Sequence, residues 1–302
     1  MGVPTIRAGA RAPQRDIPLI NRDEDSGKSI TEQKNLDPSG VLGVVAGGVT
    51  THILVADVAK TKLFAYKRLA SLPDPNPNEL EVGRYYYTEA DDWEAAKLNS
   101  STSMPFPLGM VDSGTVRIVS GLLTVGPTVR QYTISSKAVV EPGDGNAKAV
   151  VAADAVKLGL SFVWGMAITS THLWVIDVDN NRLVPLDDAN YAKRAPGLGF
   201  VDLDVLGIKA PRGMYTVSGS IVNILDAYDG TVNPIDLSTG LRAEGRFTLI
   251  DWEGNYANIK HGGLWGNSDY LWASDGTPVL KAYWAKSADG QGRNGYSTVK
   301  KI

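Results

Sequence analysis

The sequence predicts an all-β fold, a β-propeller of about five (or six) four-stranded blades with an extended N-terminal arm. Three observations predict it. A strand-like segment recurs along the chain, a glycine followed by an apolar residue precedes each copy, and the copies keep a blade-sized spacing.

The segment from Thr51 to Val58 aligns without a gap with that from Thr171 to Val178, and each runs through a short polar turn into Lys62-Leu63 or Arg182-Leu183. Ile221 to Asp226 and Tyr270 to Asp275 follow the same plan, and Thr115 to Ser120 is a weaker copy. The anchors Asp57, Ser120, Asp177, Asp226 and Asp275 lie 63, 57, 49 and 49 residues apart. Gly43-Val44, Gly109-Met110, Gly165-Met166, Gly213-Met214 and Gly263-Leu264 precede those anchors by 11 to 14 positions.

Each unit reads as strands. An apolar run after the glycine makes one, and a β-branched and aromatic run makes the second. The closing Asp opens a turn, because its carboxylate reaches the backbone two residues on. A third strand carries Leu63 to Tyr66, Leu183 to Leu186 or Leu280 to Tyr283. One further strand before the next glycine completes a four-stranded blade.

Gly263-Leu264-Trp265, Leu271 to Asp275 and Lys281-Ala282-Tyr283 resemble the Gly-Leu-Trp, Leu-Trp-Val-Ala-Asp, Lys-Ile-Tyr-Ala-Tyr repeat of bacterial propeller proteins related to the NHL and YVTN groups. Gly165-Met166 with Leu173 to Asp177 matches next best, and the pattern spans about residues 36–286. The resemblance implies the fold, and such propellers host unrelated activities.

The expected organisation is an arm over residues 1–35 and a propeller over 36–302. Insertions near 68–107 and 135–160 break the repeat. The first opens with the proline-rich stretch Pro73 to Asn78, passes Tyr85, Tyr86 and Tyr87, and reaches a short helix expected from Thr88, with Trp93 to Leu98 behind it. Tyr85 to Tyr87 read either as an outer strand or, with Trp93, as flat faces for a sugar. The second insertion holds the hairpin-like turn Pro142 to Asn146. In the arm Arg7, Arg11 and Arg15 keep four-residue spacing, but Gly9 and Pro13 oppose a helix. These arginines are the candidate assembly contacts, with strand closure of the last blade as another use of the arm.

A formal charge of −3 offers no overall field for nucleic acid. No apolar run is long enough for a Sec signal or a membrane span, so a soluble protein is expected. The chain has no cysteine, which removes disulfides, thiolate metal sites and cysteine nucleophiles. Its three histidines are His52, His172 and His261, and the first two share a repeat position, which points to a structural role. Asp177 to Asn181 begins like a calcium loop but lacks the glycine and the distal glutamate, so it reads as a turn. No nucleophile elbow, P-loop or dinucleotide fingerprint is present.

The expected function is therefore a non-enzymatic propeller in a larger assembly, such as a bacteriophage virion, partnered by other subunits and needing no cofactor or metal. The alternatives are a carbohydrate- or receptor-binding module on Tyr85, Tyr86, Tyr87 and Trp93, and a metal-dependent lactonase-type hydrolase with Glu79, Glu141, Asn223 and Asp226 as donors.

Overall fold

The computed structural model describes residues 148–170 and 172–250 continuously, together with 17–18, 20–21, 31–32, 38–46, 49–58, 62–68, 85–87, 93–94, 107–113, 116–123, 126–133, 139–140, 259, 262–266, 271–274 and 279–287. Within these residues the antiparallel strands make five blade units of one plan, two of them joined in a nine-stranded sheet, and together these units form a β-propeller.

The first blade runs Pro38–Ala46, Val49–Asp57, Lys62–Arg68 and Tyr85–Tyr87 from the axis outward. The second runs Pro107–Asp112, Val116–Leu123, Gly126–Thr133 and Val139–Val140. Val163–Ile168, Leu173–Asp177, Arg182–Leu186 and Val201–Asp202 make the third. The fourth is Pro211–Ser218, Ile221–Asp226, Thr231–Asp236 and Leu241–Arg242. The fifth is Leu264–Gly266, Leu271–Ser274 and Val279–Ser287, and its outer strand is Ile17–Pro18 from the other end of the chain. Phe247–Ile250 pairs with both Thr231-Val232 and Trp284 to Ser287, tying the fourth blade to the fifth.

The strands read as unbroken apolar runs because both faces of a blade are covered. Along Leu173–Asp177, Leu173 and Val175 pack with Val111, Ile118 and Val129 of the second blade. Trp174 and Ile176, on the opposite face, pack with Met214, Val222 and Ile224 of the fourth. Side chains of a strand alternate, so one strand feeds two inter-blade cores. Trp164, Trp174, Trp265 and Trp272 are buried, as the repeat implies, and the last two stack with centroids 5.2 Å apart.

The cross-strand partners correct three readings of the repeat. Val41 faces Val55 as Met110 faces Val119 and Met166 faces Val175, so the first blade's glycine is Gly40, not Gly43. Its hairpin is longer than the others, which hid the offset. Gly43 instead makes room for a neighbour, since a β-carbon there would lie 2.2 Å from the Trp265 ring. In the second blade Gly121, not Ser120, occupies the position of Asp177 and Asp226, because the alignment from Val119 runs one residue further. In the first insertion Trp93–Glu94 is a strand on Lys62-Leu63 rather than part of a helix. The register sets Glu94 opposite Lys62 and Trp93 opposite Leu63.

The second insertion contains a helix that the strand pattern missed, Ala152–Leu158, ended by Gly159 in the left-handed conformation at φ 67°. Ala155 and Leu158 join the core between the second and third blades. The turn Pro142 to Asn146 lies outside the described residues.

Candidate functional site: the mouth of the axis

The five inner strands approach one another too closely for side chains. A β-carbon on Gly40 would sit 1.8 Å from the Leu108 carbonyl oxygen, and one on Gly109 would sit 2.1 Å from that of Trp164. The same holds for Gly165 against Arg212 at 2.2 Å and for Gly213 against Gly262 at 2.4 Å. Gly263 in turn lies against Gly40, at 2.9 Å. Each repeat glycine is thus the contact point with the next blade's inner strand, and the fifth strand meets the first.

Hydroxyls reinforce this ring. Ser39 Oγ donates to Pro107 O at 2.6 Å, and Ser120 Oγ donates to Trp164 O at 2.5 Å while accepting from Gly109 N at 2.8 Å. Ser274 Oγ accepts from Gly263 N at 2.8 Å. Thr216 Oγ1 reaches back from the fourth blade to Ile168 O at 2.6 Å.

Of the residues before these glycines, Ser39 and Trp164 line the small cavity at the axis. Trp164 crosses the axis, its Nε1 donating to Ser39 O at 3.1 Å. The Arg212 guanidinium lies 4.8 Å from the Trp164 ring centre, a cation–π contact, and Phe162 tilts against the same indole at 5.6 Å. Burial pushes the Arg212 guanidinium below its ordinary range, while Asp179 and Asp226 pull it back up. Inside lie Val41, Met110, Met166, Met214 and Leu264, around a cavity of about 10 Å³, which has room for about one water.

The repeat aspartates do mechanical work beside this mouth. Buried Asp177 accepts from the backbone N–H groups of Ser161 and Phe162, at 3.0 and 3.3 Å, and from Asn180 and Arg182. Asp226 takes the N–H groups of Lys209 and Ala210, both at 2.9 Å, and of Tyr228 at 3.0 Å. The carboxylate therefore ties down the loop that leads into its own inner strand. Of these two, Asp226 adds the expected bond two residues on. The stretch Asp177 to Asn181 is a turn, with Asn181 at φ 45°.

Two of the four donors considered for an axial metal lie among the described residues. Asp226 is spent on the loop, and buried Asn223 donates its amide N–H to Tyr215 Oη at 2.8 Å while its Oδ1 has no hydrogen-bond partner. Glu79 and Glu141 lie outside the described residues. Tyr85–Tyr87 forms the outer strand of the first blade, opposite Tyr66 to Arg68. The side chains of Tyr85, Tyr86, Tyr87 and Trp93 lie outside the described residues, as do Arg7, Arg11 and Arg15. His172 sits in the turn before its strand, its N–H donating to Thr169 Oγ1 at 3.3 Å.

Sequence reasoning missed the pairing of Trp164 with Arg212. Both residues precede correctly placed repeat glycines, Gly165 and Gly213, but their meeting joins two blades and leaves no local pattern in the sequence.

No protein-family model and no curated protein matches the chain. Among solved structures it is similar to one described as a nidogen/laminin complex, at 14% identity over 72% of this chain and 68% of that one, with a TM-score of 0.43. It is also similar to glutaminyl cyclase of Myxococcus xanthus, at 10% identity over 83% and 91% of the two chains, with a TM-score of 0.47. A third is virginiamycin B lyase of Staphylococcus aureus, at 10% identity over 82% and 94%, with a TM-score of 0.42. No helix among the described residues is long and apolar enough to cross a membrane.

Proposed function

We propose that this chain is a non-enzymatic β-propeller acting as a scaffold in a larger assembly, with a bacteriophage virion as its setting. The filled axis carries the reading. A propeller that works on a small molecule at its axis needs a cleft there, and ligand clefts run to about 300–1,000 Å³. Here Trp164 lines a cavity of only about 10 Å³, and the neighbouring carboxylates of Asp177 and Asp226 hold loops. Function then falls to the outer surface and the arm. Arg7, Arg11 and Arg15 precede a strand seated on the last blade, which suits contact with an acidic surface of a neighbouring subunit. The virion setting rests on the general character of the sequence.

A second reading is carbohydrate or receptor binding by Tyr85, Tyr86, Tyr87 and Trp93. Their two short strands both pair with Lys62–Arg68, which gathers the four residues along one outer edge.

The experiment is light scattering on the full chain and on a chain lacking residues 1–15, which keeps Ile17-Pro18. The scaffold reading expects the full chain to associate and the shortened one to stay monomeric with an unchanged melting temperature. Two monomers at every concentration, with glycan binding lost on changing the tyrosines to alanine, would establish the second reading instead.

A further inference from the structure

The outer edge of Val279–Ser287 is filled by two unrelated pieces of chain. Phe247–Ile250 covers Trp284 to Ser287, and Ile17–Pro18 covers Val279 and Leu280. The second contact is small. It consists of the pairs Ile17 with Leu280 and Pro18 with Val279. Pro18 has no N–H, so it gives the ladder no donor, and proline in a sheet belongs at an edge. Without this strand the fifth blade would show bare backbone at Val279 and Leu280, the kind of edge that pairs with other chains.

A long stretch of sequence joins the strand to the first blade. Residues 19–37 separate Pro18 from Pro38, where the first inner strand begins. Within them only a short pairing is described, Ile20–Asn21 with Thr31–Glu32. Once that pairing opens, the nineteen residues (37 − 19 + 1) reach roughly 60 Å when extended. A compact domain of this length has a radius of gyration of only about 19 Å.

We infer that the closing strand is exchangeable: Ile17–Pro18 of one copy completes the fifth blade of a second copy. The inference rests on the assembly reading above and names the partner. The same backbone pairs form within one chain or between two, so little is lost in the exchange, and its extent follows concentration and tether length. A second copy is favoured over a foreign peptide because this segment already fits the edge in register.

The absence of native cysteine makes the test clean. Ile17→Cys and Leu280→Cys are placed on separate chains of different mass, mixed, concentrated and oxidised. Pro18→Cys with Val279→Cys serves as a second pair, and melting curves of the reduced variants verify folding. Exchange predicts a mixed 17–280 dimer whose yield rises with concentration and exceeds that of 17–17 and 280–280 dimers. The doubly substituted chain then cross-links within itself only when dilute. If the mass rises with concentration while cross-links stay within chains, exchange is overturned and the scaffold reading survives. If the mass never rises and cross-links stay internal, both fall. If no 17–280 cross-link forms in either pair, the register, and with it the exchange, is overturned.

Discussion

The indole N–H of Trp164 in the third blade donates to the carbonyl oxygen of Ser39 in the first, at 3.1 Å and across 125 residues of sequence. This bond spans the axis and links inner strands that are not neighbours. Replacing Trp164 with Phe leaves the Ser39 carbonyl without that donor in a buried place, at a cost of about 1–3 kcal/mol. Thermal melts should show a clear fall, at about 2–4 °C per kcal/mol for a domain near this size. An unchanged melting temperature would mean that the bond does not form.

The ring of glycines makes a sharper forecast. A β-carbon on Gly109 meets the Trp164 carbonyl oxygen at 2.1 Å, whereas one on Gly199 has nothing within 4 Å. Gly109→Ala should cost about 3 kcal/mol or prevent folding, because backbone cannot swing aside as a side chain does. Gly199→Ala should be close to neutral. Urea titration of both variants checks the contrast.

Asp177 is wholly buried and bonded to Arg182, with Arg182 Nη2 3.0 Å from Asp177 Oδ2. Asp177→Ala strips the partner from that guanidinium and frees the N–H groups of Ser161 and Phe162. Breaking a buried pair on one side costs about 3–5 kcal/mol. Hydrogen exchange should then rise first at Ser161 and Phe162, ahead of the rest of the blade.

Alkaline stability should depend on Tyr191. Burial pushes its phenol from 10.0 up to about 12, a hydrogen bond with Gln131 opposes this, and Asp188 adds to it. The folded chain therefore keeps a proton that the unfolded chain releases. Its contribution is whole below about pH 10 and is lost as the pH rises toward 12. Tyr191→Phe should flatten the fall in melting temperature across that window, and an equally steep fall in the variant would contradict the assignment.

Much of the fold was legible because a blade buries both faces of its strands, which prints apolar runs at a repeated spacing. Asp57, Asp177, Asp226 and Asp275 stood out as a repeated position, and at Asp177 and Asp226 the loop leading into the inner strand uses the carboxylate as an acceptor for its N–H groups. The first blade misled because its longer hairpin shifted the glycine by three residues, and Gly43 has its own reason to be glycine in the Trp265 ring. The helix Ala152–Leu158 was hidden because its buried residues, Ala155 and Leu158, are too few to show a helical period. At the mouth of the axis, Trp164 was recognisable as buried. Its meeting with Arg212 was not, because the contact joins two blades and no local pattern records it.

Hydrogen exchange of the Trp164 indole N–H, followed by NMR in the folded full-length chain, reports whether the axis is filled. A filled axis lets this proton exchange only through global unfolding, at a rate set by overall stability. Exchange as fast as that of an exposed indole, in a chain that remains folded, would show an open axis able to admit a ligand and would contradict the scaffold reading.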